Sequence, residues 1–306
     1  MIYIHSISSV SHQDSFGQNN LSGILKPLES HSKIQAPEYS NFISSNSLRR
    51  FSPILKMSLA AAKHCFLESN REISGISVGT SLGCLFDTEK FLVAFLTSKS
   101  DTISPTAFIQ STHNTIAGQI SLEFKNHGYN ITHTQNSLSF ETALLDAILF
   151  CQERKGDILV GAADETIDFL DLLRRNLMKS NLPLTSGATF MVLSSEMSEL
   201  GIGIQDIQLD FNAQDSFAEA TLFLNKNGLE VSQIDLILVS GNDMCEVFPN
   251  SLDYTQYTGL YFTNSAFAMH MALDKLKSEG KYVLIVNELF HSKLGLILLR
   301  RNETPN

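Results

Sequence analysis

The sequence has little that would place it in a membrane or export it. No run of about 18 apolar residues interrupts it, so no membrane span is expected. Its start, Met1 to Val10, has neither a basic segment nor an apolar stretch behind it, and no secretory leader is read there. Cysteine is scarce and scattered. Cys65, Cys84, Cys151 and Cys245 form no C-x-x-C pair, which points to neither a zinc site nor a disulfide framework. Positive charge is short as well. The 22 Lys and Arg are outnumbered by 32 Asp and Glu, for a formal net charge of −10. Such a surface repels phosphate backbones, so a nucleic-acid partner is not expected. Gly79 and Gly83 bound a turn, but their spacing fits neither a Walker loop nor a full GxGxxG, so no nucleotide cofactor is expected. The reading is a chain of the reducing cytoplasm with no metal and no cofactor.

What remains is a globular composition. Of 306 residues, 43% are hydrophobic and 18% charged, enough for a sizeable core. Residues 1 to about 50 hold one strand-like start, Met1–Val10, and then a Ser-, His-, Asn- and Gln-rich stretch with weak pattern. Ser52-Pro53 opens a helical, Ala-rich run, with Pro where a helix tolerates it. Ile73 to Gly79 reads as a strand ending in a glycine-bearing turn, and Glu89–Leu96 as a helix. Thr115–Phe124 is a helix with Ile116, Ile120 and Phe124 on one side. Strands are expected at Tyr129–Thr134, Asp157–Gly161 and Ala188–Leu193, and a helix at Ser139–Glu153. The second half repeats the rhythm: helices at Phe217–Asn227 and Ser265–Glu279, strands at Ile234–Val239, Tyr282–Asn287 and Leu294–Leu299. This alternation predicts a layered α/β fold.

Four segments in order carry a family resemblance. They are Arg49-Arg50-Phe51-Ser52 with its helix and the Val78–Gly83 turn, then Asn114-Thr115-Ile116-Ala117-Gly118-Gln119-Ile120, then Gly161-Ala162-Ala163-Asp164-Glu165, and Ser186–Leu193. Together they resemble the β-ketoacyl synthases of the thiolase superfamily. The resemblance implies an α/β, thiolase-like αβαβα fold built from two related βαβ halves. The halves are expected at 1–196 and, shortened, at 197–306, forming one compact unit.

Active members of that family carry a cysteine at the head of a buried helix, where the helix dipole favours the thiolate. Here the corresponding run is Ile131-Thr132-His133-Thr134-Gln135-Asn136-Ser137. Aligning forward from Tyr129 places Gln135 at the cysteine. Aligning backward from Glu165 places Ser137 there. Neither supplies a thiol. The family's two histidines should fall near Val239–Asp243 and Thr255–Leu260, and its glycine-rich gate near Leu289-Phe290-His291-Ser292; none of these is present. One oxyanion donor is worth about 3–4 kcal/mol of barrier, and losing the nucleophile removes the covalent route altogether. The resemblance narrows to chain-length factors, in particular to short pigment-cluster proteins sharing an S-F-E-x-A-L-L-D-A helix, which stands here as Ser139–Ala147.

The resemblance thus implies a non-catalytic partner of an active ketosynthase, in fatty acid, polyketide or aryl-polyene-type biosynthesis. Its partners would be that ketosynthase, as a heterodimer, or a second copy, and an acyl carrier protein. Phe108, Ile109, Gln110, Thr134 and Phe290 are the candidate interface and tunnel residues. Gln135 reads either as a buried, hydrogen-bonded amide or as a pocket group that orients a chain. His113, His133 and Ser137 are candidate pocket residues. His133 and Gln135, two apart, would share a strand face. Asp164 and Glu165 would point to opposite faces and play a structural part. Two enzymatic alternatives stay open: a malonyl-carrier-protein decarboxylase using Gln135, and a divergent 3-oxoacyl-carrier-protein synthase with Cys151 or Cys84 as nucleophile.

Overall fold

The computed structural model describes residues 1–18, 20–29, 32–97, 105–170, 182–290 and 292–302, with Phe290 described by its backbone alone. Ten strands form one mixed sheet. They are β1 (Ile2–Val10), β2 (Ile73–Gly79), β3 (Tyr129–His133), β4 (Asp157–Asp164), β5 (Gly187–Ser194), β6 (Ile202–Asp210), β7 (Leu236–Val239), β8 (Ser251–Asp253), β9 (Tyr282–Phe290) and β10 (Lys293–Arg301). Their spatial order is 3-2-4-5-1-6-10-9-7-8.

That order contains a duplication. Strands 3-2-4-5-1 of the first half match 8-7-9-10-6 of the second, position for position. Pairing directions match as well. β3–β2–β4 and β8–β7–β9 are parallel, and the remaining pairs in each half are antiparallel. The halves meet where Ile2 and Tyr3 of β1 pair with Ile204 and Gly203 of β6.

Among the described residues seven longer helices pack on this sheet: α1 (Pro53–Ser69), α2 (Leu85–Thr97), α3 (Pro105–Gln110), α4 (Thr115–Phe124), α5 (Ser139–Arg154), α6 (Ser216–Lys226) and α7 (Ser265–Ser278). Ser52 caps α1 in extended conformation with Pro53 in its first turn, and Asn70 ends it in the left-handed conformation. α5 and α7 follow the third strand of their respective halves and contact strands of both, so they form the middle layer. They are buried along most of their length, α7 from Ser265 to Asp274 without a break. Three apolar clusters result: one around α5 and α7 between the halves, one between α1, α4 and the first half, one between α6 and the second. This is a layered αβαβα architecture. No helix among the described residues is long and apolar enough to cross a membrane.

Most boundaries agree with the hydrophobic pattern to within a few residues. β6 and the three-residue β8 are exceptions, with no strand expected at either. In β6, Gln205, Asp206 and Gln208 interrupt the apolar residues, and the strand is recognisable only through its pairing with β10 and β1.

Candidate functional site

A cavity of about 1050 Å³ lies at the C-terminal ends of β4, β7 and β8, near the end of β9, where open α/β sheets usually bind ligands. Its apolar wall includes Leu82, Leu184, Leu260, Tyr261 and Leu289. Its polar wall includes Asp164, Glu165, Ser240, Asp243 and Asp253. Among the described residues lining it there is no His, Lys or Arg. Four carboxylates and no cation make this wall unsuited to stabilising a developing oxyanion.

Three of the four carboxylates, Asp164, Glu165 and Asp253, are occupied by donors. Asp164 is fully buried and accepts from Thr80 Oγ1 at 3.0 Å and from the backbone N–H groups of Ser81 and Leu82 at 2.9 Å each. It holds the turn after β2. Glu165 faces elsewhere and accepts from Phe86 N at 2.9 Å in the first turn of α2. Burial pushes Asp164 up to about 6 and Glu165 up to about 7, against the donors that favour their charged forms. Asp253 accepts from Thr255 N and Oγ1 and from Gln256. Tyr261 is packed tightly from behind: a Cβ at Gly187 would sit 2.6 Å from its hydroxyl.

Behind this wall lies a buried polar chain. Tyr254 donates to Asn287 Oδ1 at 3.3 Å. Asn287 Nδ2 donates to Glu141 Oε1 at 2.7 Å and to the Ser137 carbonyl at 2.9 Å. All four residues are fully buried. Burial pushes the Glu141 carboxyl up to about 7 despite its hydrogen bond to Asn287. Its second oxygen and the Ser137 hydroxyl have no hydrogen-bond partner.

At the elbow between β3 and α5 the two candidate positions differ in burial. β3 stops at His133. Thr134, Gln135 and Asn136 are exposed, with Asn136 in the left-handed region at φ 53°. Ser137 is the first buried residue of the turn. Gln135 is therefore not a buried amide: its backbone N–H is held by Ser139 Oγ at 2.8 Å, which leaves its side chain on the surface. Nor do His133 and Gln135 share a strand face, because the strand ends between them. His133 Nε2 lies 3.4 Å from Asp146 Oδ2, and Asp146 also accepts from the Tyr129 hydroxyl at 2.6 Å. Burial works to raise the Asp146 carboxyl, but His133, Tyr129 and Ser77 outweigh it and hold it below the usual range. His113 is exposed, and its ring lies against Gly83. The two histidines thus sit in separate surroundings, and neither lines the large cavity.

Neither Cys151 nor Cys84, the two candidate nucleophiles, suits that role. All four are free thiols. Cys151 lies in the last turns of α5, fully buried, with its thiol pushed up to about 12 by burial; burial raises the Cys84 thiol too. A thiol held neutral in this way is a poor nucleophile. No group of three or more metal-ligating side chains occurs among the described residues.

Phe108 and Ile109 are exposed on α3, and Gln110 is half-buried beside them. They adjoin α2, whose Leu92, Val93, Phe95 and Leu96 are also exposed. Phe91 links the two helices, its ring 5.7 Å from Phe108 and 6.3 Å from Phe95. The apolar face therefore extends beyond the residues named from sequence. The spacing of Leu92, Val93 and Leu96 at i, i+1 and i+4 was the available signal. The side chain of Phe290 and all of His291 lie outside the described residues. Glu141 was visible in sequence only as part of the Ser139–Ala147 motif, yet it stands at helical spacing with the buried Leu144 and Ile148.

Comparison with known proteins agrees with this architecture. Residues 27–173 match the model of the β-ketoacyl synthase N-terminal domain. No curated protein matches. Among solved structures, a chain of the ishigamide ketosynthase/chain length factor is similar at TM-score 0.79 and 13% identity, over 99% of each chain. A chain from a type II polyketide synthase acyl-carrier protein in complex with its ketosynthase is similar at TM-score 0.81 and 12% identity, over 98% of this chain and 99% of that one. A chain from the ketosynthase ApeO in complex with its chain length factor ApeC, from Xenorhabdus doucetiae, is similar at TM-score 0.74 and 14% identity, over 98% of each. At these identities the likeness is one of fold.

Proposed function

We propose that this chain, a β-ketoacyl synthase homologue with the thiolase-like fold, is the chain-length-factor-type subunit of a heterodimer whose other member is an active ketosynthase. One observation carries the reading. The strand-to-helix elbow that would present a nucleophile carries Thr134-Gln135-Asn136-Ser137 instead, and the large cavity offers carboxylates, hydroxyls and amides but no His, Lys or Arg among the described residues that line it. A cavity retained without condensation chemistry fits a subunit that shapes space for a partner's product. In this reading 1–196 and 197–306 are two halves of one unit, and the chain works in the cytoplasm with an acyl carrier protein delivering substrate to the partner. Thr134, Gln135 and Asn136 follow the edge strand β3, whose outer side has no strand neighbour among the described residues. An unpaired strand edge and an exposed apolar face are both surfaces suited to assembly. Phe108 and Ile109 are interface residues of the apolar face, with Gln110 at its border.

Co-expression with a ketosynthase that carries the cysteine and both histidines tests this. The two should purify together in equal amounts, and the pair should make a product of defined length. Recovery of this chain as a monomer beside a ketosynthase whose products it never alters would sink the proposal.

A further inference from the structure

On another part of the molecule, a polar cavity of about 650 Å³ opens where the two halves meet. Its wall combines His5 of β1, His64 of α1, Ser198 of the link between β5 and β6, and Lys277 of α7. Three of these groups lack what they need. Ser198 is buried, and its hydroxyl has no hydrogen-bond partner; the Nδ1 of His64 is in the same position. Lys277 is half-buried with no carboxylate at ion-pair distance among the described residues. Asp274, one turn back, attracts it, but its two oxygens accept from Leu21 N and Ser22 N at 2.9 Å each. Arg71 also reaches this wall, but Asp157 and Glu196 already neutralise it.

An ammonium taken partly out of water without a counter-ion costs free energy that an incoming anion would recover. A buried hydroxyl without a partner is a second donor waiting for an acceptor. The exposed carboxylates of Glu68 and Glu199 at the opening disfavour bulky polyanions. We propose that this cavity binds a small oxyanion, a carboxylate or phosphate group, with Lys277 and Ser198 as donors and His64 as the third contact. It contains none of the residues argued for partner docking, so its test does not depend on the function proposed above.

Inorganic phosphate and acetate, titrated separately into the full chain and followed by thermal unfolding, represent the two chemical sources. At least one should raise the melting temperature in a saturable way. Lys277→Met should weaken that response about tenfold, as loss of one charge-assisted bond would. Without ligand the same variant should unfold no earlier than wild type, because the charge removed had no partner. Ser198→Ala, a smaller change, should weaken the response independently. Lys275→Met, which removes only the exposed pair with Glu279, should leave it intact. No saturable response to either anion overturns the proposal, and so does a response that survives unchanged in both Lys277→Met and Ser198→Ala.

Discussion

Glu141 shows most clearly how one buried side chain sets behaviour. Its carboxyl ordinarily titrates near 4.5, and burial moves it to about 7. In the folded chain it therefore keeps a proton that the unfolded chain has released over that interval. Its contribution to stability is complete below the unfolded value and is lost as pH rises through about 7. Glu141→Gln keeps an acceptor for Asn287 and removes the charge. Urea midpoints should show the variant more stable than wild type at about pH 8, by on the order of 1 kcal/mol, and nearly level with it at about pH 5. Asp164 makes the opposite case. It satisfies Thr80, Ser81 and Leu82 at once, so Asp164→Ala strands buried donors. A loss of about 2–4 kcal/mol is expected by chemical denaturation.

Contacts between elements depend on backbone meeting backbone. β2 passes so close to the start of α5 that a Cβ at Gly79 would lie 2.4 Å from the Ser139 carbonyl oxygen. Neither partner is a flexible side chain, so Gly79→Ala must move a strand or a helix. It should cost more than about 2 kcal/mol, read as a lowered urea midpoint. The α2–α3 face is the reverse. Phe108 and Leu96 are 57% and 79% exposed, so little folding energy rests on them. The pair Leu96→Asp and Phe108→Asp should leave the melting temperature of the isolated chain within about 2–4 °C while abolishing co-purification with the ketosynthase. Loss of both properties together would mean that the face is structural.

The whole molecule combines several displaced titrations. Glu165 is raised to about 7 and Asp164 to about 6, alongside Glu141. All three make stability fall as pH rises through these values. His270 acts in the other direction. Burial pushes it down to about 3 from 6.5, so the unfolded chain takes up a proton below 6.5 that the folded chain refuses, and acid destabilises there. The carboxylates are more numerous and titrate nearer neutrality. Unfolding free energy should therefore decline between about pH 6 and pH 8, a trend that a series of denaturant melts measures directly.

Local pattern was enough to place most elements, because apolar periodicity and the Ser52-Pro53 start are properties of a few neighbouring residues. It was also enough to show that no thiol stands between Ile131 and Ser137, since a missing atom needs no coordinates to be missing. Duplicated strand order, the polar strand β6 and the choice of Ser137 over Gln135 as the first buried residue of the elbow were settled only by tertiary structure. Each depends on partners far along the chain: β6 on β10 and β1, and Ser137 on Asn287, 150 residues away. Side-chain chemistry is written in the sequence. Burial, which decides what that chemistry costs and whether it is used, exists only once distant segments meet.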